Sequence, residues 1–445
     1  MRSLLTSATE ARLRKGLEQA TRHGASAAKL LLRHRDKVQC EFEAGNVKSA
    51  GSQETLVCTA EVVIAATPEA SHGRRGTSTG NRLDDLNTII ERAVAVTKAA
   101  GSAAHFDAYP APAEATAVKT HSKRTLAFST DQMIDASRRI DERLKAYDRD
   151  IHLRARAERV AGESLVVTTG GVCHWAQRTS WLLFIEAQQT RGTDIVIPFI
   201  FRDWGDLNET YDPDAMAEQA VIDFRRSETI VEPPSGRVKA YLPPEALEMM
   251  LWPLEMGIDG RNVAKGESPL RGRLGEQVLA PALTIIDNPH LDYAPGACSV
   301  DDDGIPTRRQ TLFDKGVLRQ FLYDLDTAGL ANTEPTGNNG CRPHNVMIQP
   351  GKRPSDELLR SIDDGLFIRS GIGFGGPGFI NGDISCNVGL GFRIRNGQIV
   401  GRVKDTMIAG NIYELLARNV QLSSDLDYSG RLPHAVIEGL AVSSK

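Results

Sequence analysis

The stretch Arg393-Ile-Arg-Asn-Gly-Gln-Ile-Val400 decides the fold of the second half of this chain. Two short runs flank Asn396-Gly397, the pair favoured by a two-residue type I′ turn because both positions need positive φ. The segment therefore reads as a β-hairpin. Leu312-Phe-Asp-Lys-Gly-Val-Leu318 reads as a second tight hairpin. Between them Ser355 is placed to cap a short helix, with Asp356 and Glu357 in its first turn and Gly365 at its end. From Lys239 onward the chain thus reads as a helix followed by many short strands, with a last helix over about Ile412 to Val420.

Upstream, Glu232-Pro-Pro-Ser-Gly236 is a break by composition and separates residues 1–232 from 237–445. The first part reads as an α/β domain. A polar helix from Thr9 to His23 stops at Gly24, and Val38 to Glu43 alternates as a strand before the turn Ala44-Gly45-Asn46. Leu56 to Ala65 is β-rich, and Ser71 to Gly80 reads as a loop. Asp84 and Asp85 open a helix with Leu86, Ile89, Ile90, Ala93 and Val94 on one face. Ser129-Thr-Asp-Gln132 matches a capping box and starts another helix, running to about Lys145. Leu165–Thr169, Trp181–Ala187 and Ile195–Phe201 read as strands, and Met216–Arg226 as a helix. The fold class is α+β, an N-terminal α/β domain followed by a β-rich C-terminal domain with a few helices.

Composition bounds the function. The chain has 445 residues, 53 Lys+Arg against 57 Asp+Glu for a net charge of −4, and 41% hydrophobic residues, enough to bury a sizeable core. That charge gives no support to a nucleic-acid partner bound by neutralising many phosphates. No run approaches the ~18 apolar residues that span a bilayer, and the start at Met1 turns polar without a signal core. A soluble, cytoplasmic protein with no membrane partner is expected. The cysteines at 40, 58, 173, 298, 341 and 386 form no CxxC pair and read as thiols.

Catalytic signatures are mostly missing. No phosphate loop, HExxH helix or GxSxG elbow occurs. Gly371-x-Gly373-x-x-Gly376 matches the dinucleotide fingerprint literally, but Pro377 and Gly378 stand where a helix should open, so it reads as a glycine-rich loop. No two histidines lie three or four residues apart, and Cys341-Arg-Pro-His344 lacks a second pair of zinc ligands. Asp301, Asp302 and Asp303 precede Gly304, which suits turn formation better than cation binding.

A string of motifs remains: Lys265-Gly266-x-Ser268, Gly272-x-x-Gly275-Glu276, Asp302-Asp-Gly-Ile-Pro306, Phe313-Asp-Lys-Gly-Val-Leu318, Thr336-Gly-Asn338, Gly382-Asp-Ile-Ser385 and Ile408-Ala-Gly-Asn411. In this order they resemble the TldD/PmbA (TldD/TldE) family, the so-called modulators of DNA gyrase, and Glu43-x-Gly45 with the helix from Asp84 extends the likeness to the N-terminal half. The resemblance implies a pair of homologous subunits. One carries HExxxH before the Lys-Gly-x-Ser segment, with a cysteine near its C-terminus, and acts as a metallopeptidase; the other lacks these residues. Here the corresponding helix reads Met250-Leu-Trp-Pro-Leu-Glu-Met256, and the region of the cysteine reads Ser429-Gly-Arg-Leu-Pro-His-Ala435.

The chain therefore resembles the TldE-type subunit. The resemblance implies no catalytic residue and no metal here, zinc in a TldD-like heterodimer partner, and a peptide substrate held by strand addition. Thr336, Gly337, Asn338, Asn345, Gly382, Asp383 and Ser385 are the candidates for lining the groove, because glycine permits close backbone approach and Asn and Ser bond amides. The same glycines also suit tight turns. Two alternatives stand beside this reading. One is a self-sufficient homodimeric hydrolase using Cys341, His344 or Asp301–Asp303; the other is a gyrase-binding module, which the charge does not favour.

Overall fold

The computed structural model describes residues 6–66, 72–208 and 210–444. The Met1 end of the signal-peptide reading and Ser71 lie outside them. The first half contains α1 (Ser7–Arg22), β1 (Ala27–Glu43), β2 (Asn46–Ile64), β3 (Gly73–Gly80), α2 (Leu86–Ala100) and β4 (Ser102–Ala104). It continues with α3 (Lys123–Leu126), α4 (Thr130–Tyr147), β5 (His152–Thr168), β6 (Cys173–Arg191), β7 (Asp194–Val196), β8 (Phe199–Trp204) and α5 (Pro213–Arg226).

The strands form one sheet in the order β4-β3-β2-β1-β5-β6-β7, with β8 also on β6. Every pairing is antiparallel, so this half is not the α/β unit its helices and strands implied. Helices pack on the sheet instead of crossing between parallel strands. The β1–β2 turn puts Ala44 and Gly45 at φ 49° and 83°. Ser129 and Gln132 complete their capping box at α4.

The segment expected to be a loop is β3. Its glycines are not there for flexibility. A Cβ on Gly76 would sit 2.4 Å from Thr97 Oγ1, and one on Gly80 would sit 2.6 Å from Ile89 Cδ1, so α2 lies directly against this strand.

The second half contains β9 (Gly236–Leu242), α6 (Pro244–Ile258), α7 (Gly260–Lys265), β10 (Ile285–Asp287), β11 (Gln310–Asp314), β12 (Val317–Leu318), α8 (Leu325–Ala331) and β13 (Val346–Ile348). It ends with α9 (Ser355–Arg360), β14 (Asp364–Ile372), β15 (Asp383–Arg395), β16 (Gln398–Arg402), β17 (Thr406–Asn411), α10 (Ile412–Leu416), β18 (Gln421–Leu426) and β19 (Pro433–Ser444). Four strands make a small sheet, β12-β11-β10-β13, and the remainder run β14-β9-β19-β17-β15-β16. Because β14 also pairs with β15, five strands close into a ring. Both expected hairpins form, with positive φ at Lys315-Gly316 and Asn396-Gly397. At α9, Ser355 is the first helical residue rather than the cap, and its N–H donates to Asp425 Oδ1 at 2.7 Å. That helix ends at Arg360, and Gly365 instead belongs to β14, where a Cβ would meet Lys239 O at 2.6 Å.

One apolar core fills the ring and reaches α6 and α10. Another joins the two halves: Met216, Ala220 and Phe224 of α5 and Trp181 of β6 pack with Phe367, Phe392 and Val436 of the second half. Phe392 and Trp181 are almost fully buried, so this seam has the character of a domain core. Asp223 on α5 and Arg369 on β14 pair across it at 3.0 Å, both nearly inaccessible. All six cysteines are free. Among the described residues no helix is long and apolar enough to cross a membrane.

Candidate functional site

α6 starts with Pro244 in its first turn, where a missing N–H costs nothing. Ala246, Leu247, Met250, Leu251, Leu254 and Ile258 bury its inner face. The outward face carries Glu248, Trp252, Glu255 and Met256. Pro253 sits inside the helix and removes one backbone donor, while its own carbonyl accepts from Tyr413 Oη at 3.0 Å. Trp252 is 46% exposed and meets Phe374 edge-on with ring centroids 6.1 Å apart. Phe374 belongs to the loop Gly373-Phe-Gly-Gly-Pro-Gly378, whose four glycines all have positive φ. A Cβ on Gly373, Gly375 or Gly376 would meet nothing within 4 Å, so this loop is glycine-rich for conformation and lies open to solvent. It leads into a single 3-10 turn at Phe379–Asn381, and no dinucleotide-type helix follows.

The electrostatics of α6 are unusual. Burial pushes the Glu255 carboxyl up to about 7, with the Glu248 carboxylate adding to the effect and Arg342 opposing it. Burial also raises Glu248, against the guanidinium of Arg431, whose Nη2 lies 3.8 Å from Glu248 Oε1. Arg431 is aimed by its own loop. Asp427 Oδ1 accepts from the backbone of Ser429 at 3.1 Å and Arg431 at 2.9 Å, and Arg431 Nε donates to Ser429 Oγ at 3.0 Å.

These residues do not fit a zinc ion. Trp252 offers no lone pair for a metal, Met256 offers a thioether, and Ser429 with Arg431 stands where a cysteine ligand would be needed. Among the described residues no group of three or more His, Cys, Asp or Glu side chains is arranged to hold a metal.

A pH prediction follows from Glu255. Its folded value lies above the unfolded value of about 4.3, so the native state holds the proton more tightly. The resulting stability is full below about pH 4.3 and is lost as pH rises through about 7. A shift from 4.5 to about 7 corresponds to ~3 kcal/mol, which partial solvent access reduces to ~1–2 kcal/mol. Glu255→Gln stays neutral and escapes this loss. Urea denaturation is expected to show the variant gaining that amount over the wild type between pH 5 and pH 8; equal differences at both pH values would reject the assignment.

The seven groove candidates fall into two groups, with no hydrogen bond joining them among the described residues. Thr336, Asn338 and Asn345 are buried. Asn338 Nδ2 donates to Asp287 Oδ2 at 2.8 Å and Thr336 Oγ1 to Asn338 Oδ1 at 2.8 Å. The backbone N–H groups of His344 and Asn345 donate to Asp287 Oδ1 at 2.7 and 2.9 Å. Gly337, at φ 75°, packs so closely that a Cβ would be 2.7 Å from Pro306 O. These side chains are used internally, tying a loop to the fully buried Asp287.

The other three lie at the start of β15. Gly382 has φ 89° and its Cβ would strike the Tyr413 ring at 2.5 Å. Asp383 is exposed and accepts from Asn411 Nδ2 at 2.8 Å, and Ser385 is exposed on the same strand face. Asn411 in turn caps α10, accepting from Glu414 N at 3.3 Å.

Cys341 and His344 are not a pair. Cys341 is buried, its thiol pushed up to about 11 by burial, and it faces Thr327. His344 Nε2 meets Gly337 O at 2.8 Å and its Nδ1 lies 3.5 Å from Cys298 Sγ. The Asp301–Asp303 run forms an Asx-type turn, with Asp301 Oδ1 accepting from the N–H groups of Asp303 and Ile305, both at 2.9 Å. The pairing of Glu248 with Glu255 escaped the sequence reading; their signal was two carboxylates seven residues apart in a largely apolar helix whose third carboxylate, Glu245, pairs with Arg369.

Residues 235–444 match the PmbA/TldA metallopeptidase C-terminal domain. The chain is 32% identical over 202 residues to a protein named metalloprotease from Methanothermobacter thermautotrophicus, covering 43% of this chain and 44% of that one. It is 28% identical over 183 residues to a metalloprotease PmbA homolog of Buchnera aphidicola, covering 41% and 40%. An uncharacterized protein of Methanocaldococcus jannaschii is 30% identical over 234 residues, 49% of this chain and 55% of that one. The chain spans about half the length of the curated relatives it matches. In fold it superposes on TldE from Thermococcus kodakarensis with a TM-score of 0.85 at 19% identity, covering 97% of this chain and 100% of that one. A Thermotoga maritima protein named as a candidate modulator of a DNA gyrase gives 0.87 at 24% identity, covering 98% and 100%. The second half of the chain is thus similar to the PmbA/TldA metallopeptidase C-terminal domain, and the fold is shared with TldE over nearly the whole length.

Proposed function

We propose that this chain is the metal-free, TldE-like subunit of a heterodimeric peptidase of its family, acting in the cytoplasm on unfolded or modified peptides. In this reading the partner supplies HExxxH and the metal, expected to be zinc, and this chain has no cofactor of its own. The observation that carries the proposal is α6: the helix that would bear the ligands is intact and well packed, yet presents Trp252, Pro253 and Met256.

The site supports binding rather than bond cleavage. Trp252, Met256 and Phe374 make an apolar shelf for side chains, while Glu248, Glu255 and Arg431 offer acceptors and donors at its edge. An extended peptide bound by strand addition takes its affinity from main-chain hydrogen bonds, so no catalytic group is required of this wall. Gly382, Asp383 and Ser385 are proposed to line the groove at the start of β15. Thr336, Gly337, Asn338 and Asn345 then act one step back, holding a loop in place through Asp287.

The test is capture of the tagged chain from its own host with mass spectrometry of what co-purifies. A homologous chain containing HExxxH is expected in near-equal amount. Recovery of this chain alone, dimeric and hydrolysing peptides, would overturn the proposal.

A further inference from the structure

Away from α6, a cavity of about 450 Å³ opens between the first sheet and the Ala297–Asp302 loop of the second half. One face of the sheet forms its floor. Leu31 of β1 lies opposite Val166 of β5, which lies opposite His174 of β6. One step along, Arg33, Ser164 and Ala176 are in register, and beyond them Arg35, Gly162 and Arg178. The floor therefore grades from an apolar end to a basic end. Gly162 leaves room there, because a Cβ would touch only His34 O at 3.7 Å.

The charges at the basic end are only partly cancelled within the protein. Arg33 pairs with Asp302 of the loop. Arg178 makes no salt bridge among the described residues; its terminal nitrogens donate to the carbonyls of Pro295 and Ala297, with Asp302 acting on it from further off. Burial depresses its pKa, and the nearby Cys298 and Asp302 only partly offset that effect. Arg35 likewise has no ion-pair partner among the described residues. On the loop side, Asp301 is buried beside Asp303, and burial and that neighbour push its carboxyl up to about 7; its Oδ2 has no hydrogen-bond partner among the described residues.

We propose that this cavity binds an organic carboxylate with an apolar body, the carboxylate lying between Arg35 and Arg178 and the body over Leu31, Val166 and Ala176. The volume suits a ligand of one to three amino-acid residues. Both a free branched-chain acid and the C-terminal end of a peptide have this chemistry. The site itself stands apart from the peptidase reading; only a preference for the peptide would depend on it.

The experiment is calorimetric titration of the full chain with the tripeptide Ala-Leu-Val as free acid, with its C-terminal amide, and with 4-methylpentanoate. The free acid is expected to bind at least tenfold more tightly than the amide. Arg35→Gln should weaken it about tenfold, and Ser164→Leu, which fills the floor, should abolish it. Thermal melts of both variants establish that they fold. Tighter binding of the tripeptide than of 4-methylpentanoate assigns the site to peptide ends, and the reverse assigns it to free acids. Equal binding of acid and amide, binding unchanged by Ser164→Leu, or no binding by either acid would overturn the proposal. These results do not depend on whether an HExxxH partner is captured, so the two readings can fail separately.

Discussion

Replacing Asp287 with Ala is expected to cost about 3–5 kcal/mol, the largest single effect in this fold. Asp287 is fully buried and its two oxygens receive three hydrogen bonds, from Asn338 Nδ2 and from the backbone of His344 and Asn345. Removing the carboxylate strands three donors where water does not reach, at about 1–3 kcal/mol each before relaxation. Asn338 loses its anchor while still bound by Gln310 at 2.7 Å, so the damage spreads through the whole Thr336–Asn345 loop. For a protein stable by ~5–15 kcal/mol this is a major loss. Chemical denaturation of the purified variant would measure it, and hydrogen exchange should show the loop deprotected. A loss below about 1 kcal/mol would mean that the loop is held by other contacts.

Lys29→Met is the second large effect, at about 3 kcal/mol. Lys29 on β1 is almost inaccessible, with Nζ 2.5 Å from Asp303 Oδ1 and 3.3 Å from Glu61 Oε1. Tyr109 Oη donates to Glu61 Oε1 at 2.5 Å. Without the ammonium, two carboxylates face each other across the junction of the two halves. Adding Asp303→Asn to the variant should restore part of the loss, since a neutral amide no longer repels Glu61. The pH dependence has a defined sign. Burial works to raise Glu61, but Lys29 and Tyr109 outweigh it and its pKa lies below the usual value. Its stabilising contribution is therefore present above about pH 4.3 and is lost as pH falls through the depressed folded value. The difference between wild type and Lys29→Met should shrink below pH 4, a result readable from acid titrations followed by circular dichroism.

The hairpins were legible because Asn396-Gly397 and Lys315-Gly316 need positive φ and advertise it, and the Ser129–Gln132 cap because its hydrogen bonds are local. β3 was not legible. Its sequence, Gly-Arg-Arg-Gly-Thr-Ser-Thr-Gly, has loop composition, and only the approach of α2 to Gly76 and Gly80 explains it. The antiparallel order of the first sheet was hidden for a related reason: pairing partners such as Ala27 and Val63, or Lys29 and Thr168, are far apart in the chain. At the site, Thr336-Gly-Asn338 and Gly382-Asp-Ile-Ser385 look alike as polar glycine motifs. One proves to be a buried network and the other an exposed strand start, a difference set by Asp287 and Tyr413 and written in neither motif.

The central claim is that this chain contributes a binding wall while its partner holds the metal. Elemental analysis of the purified chain alone and of the captured pair tests it most directly. The account predicts metal near one equivalent in the pair, none retained by this chain alone after dialysis, and peptide cleavage only by the pair. Stoichiometric metal bound tightly by the isolated chain would contradict it.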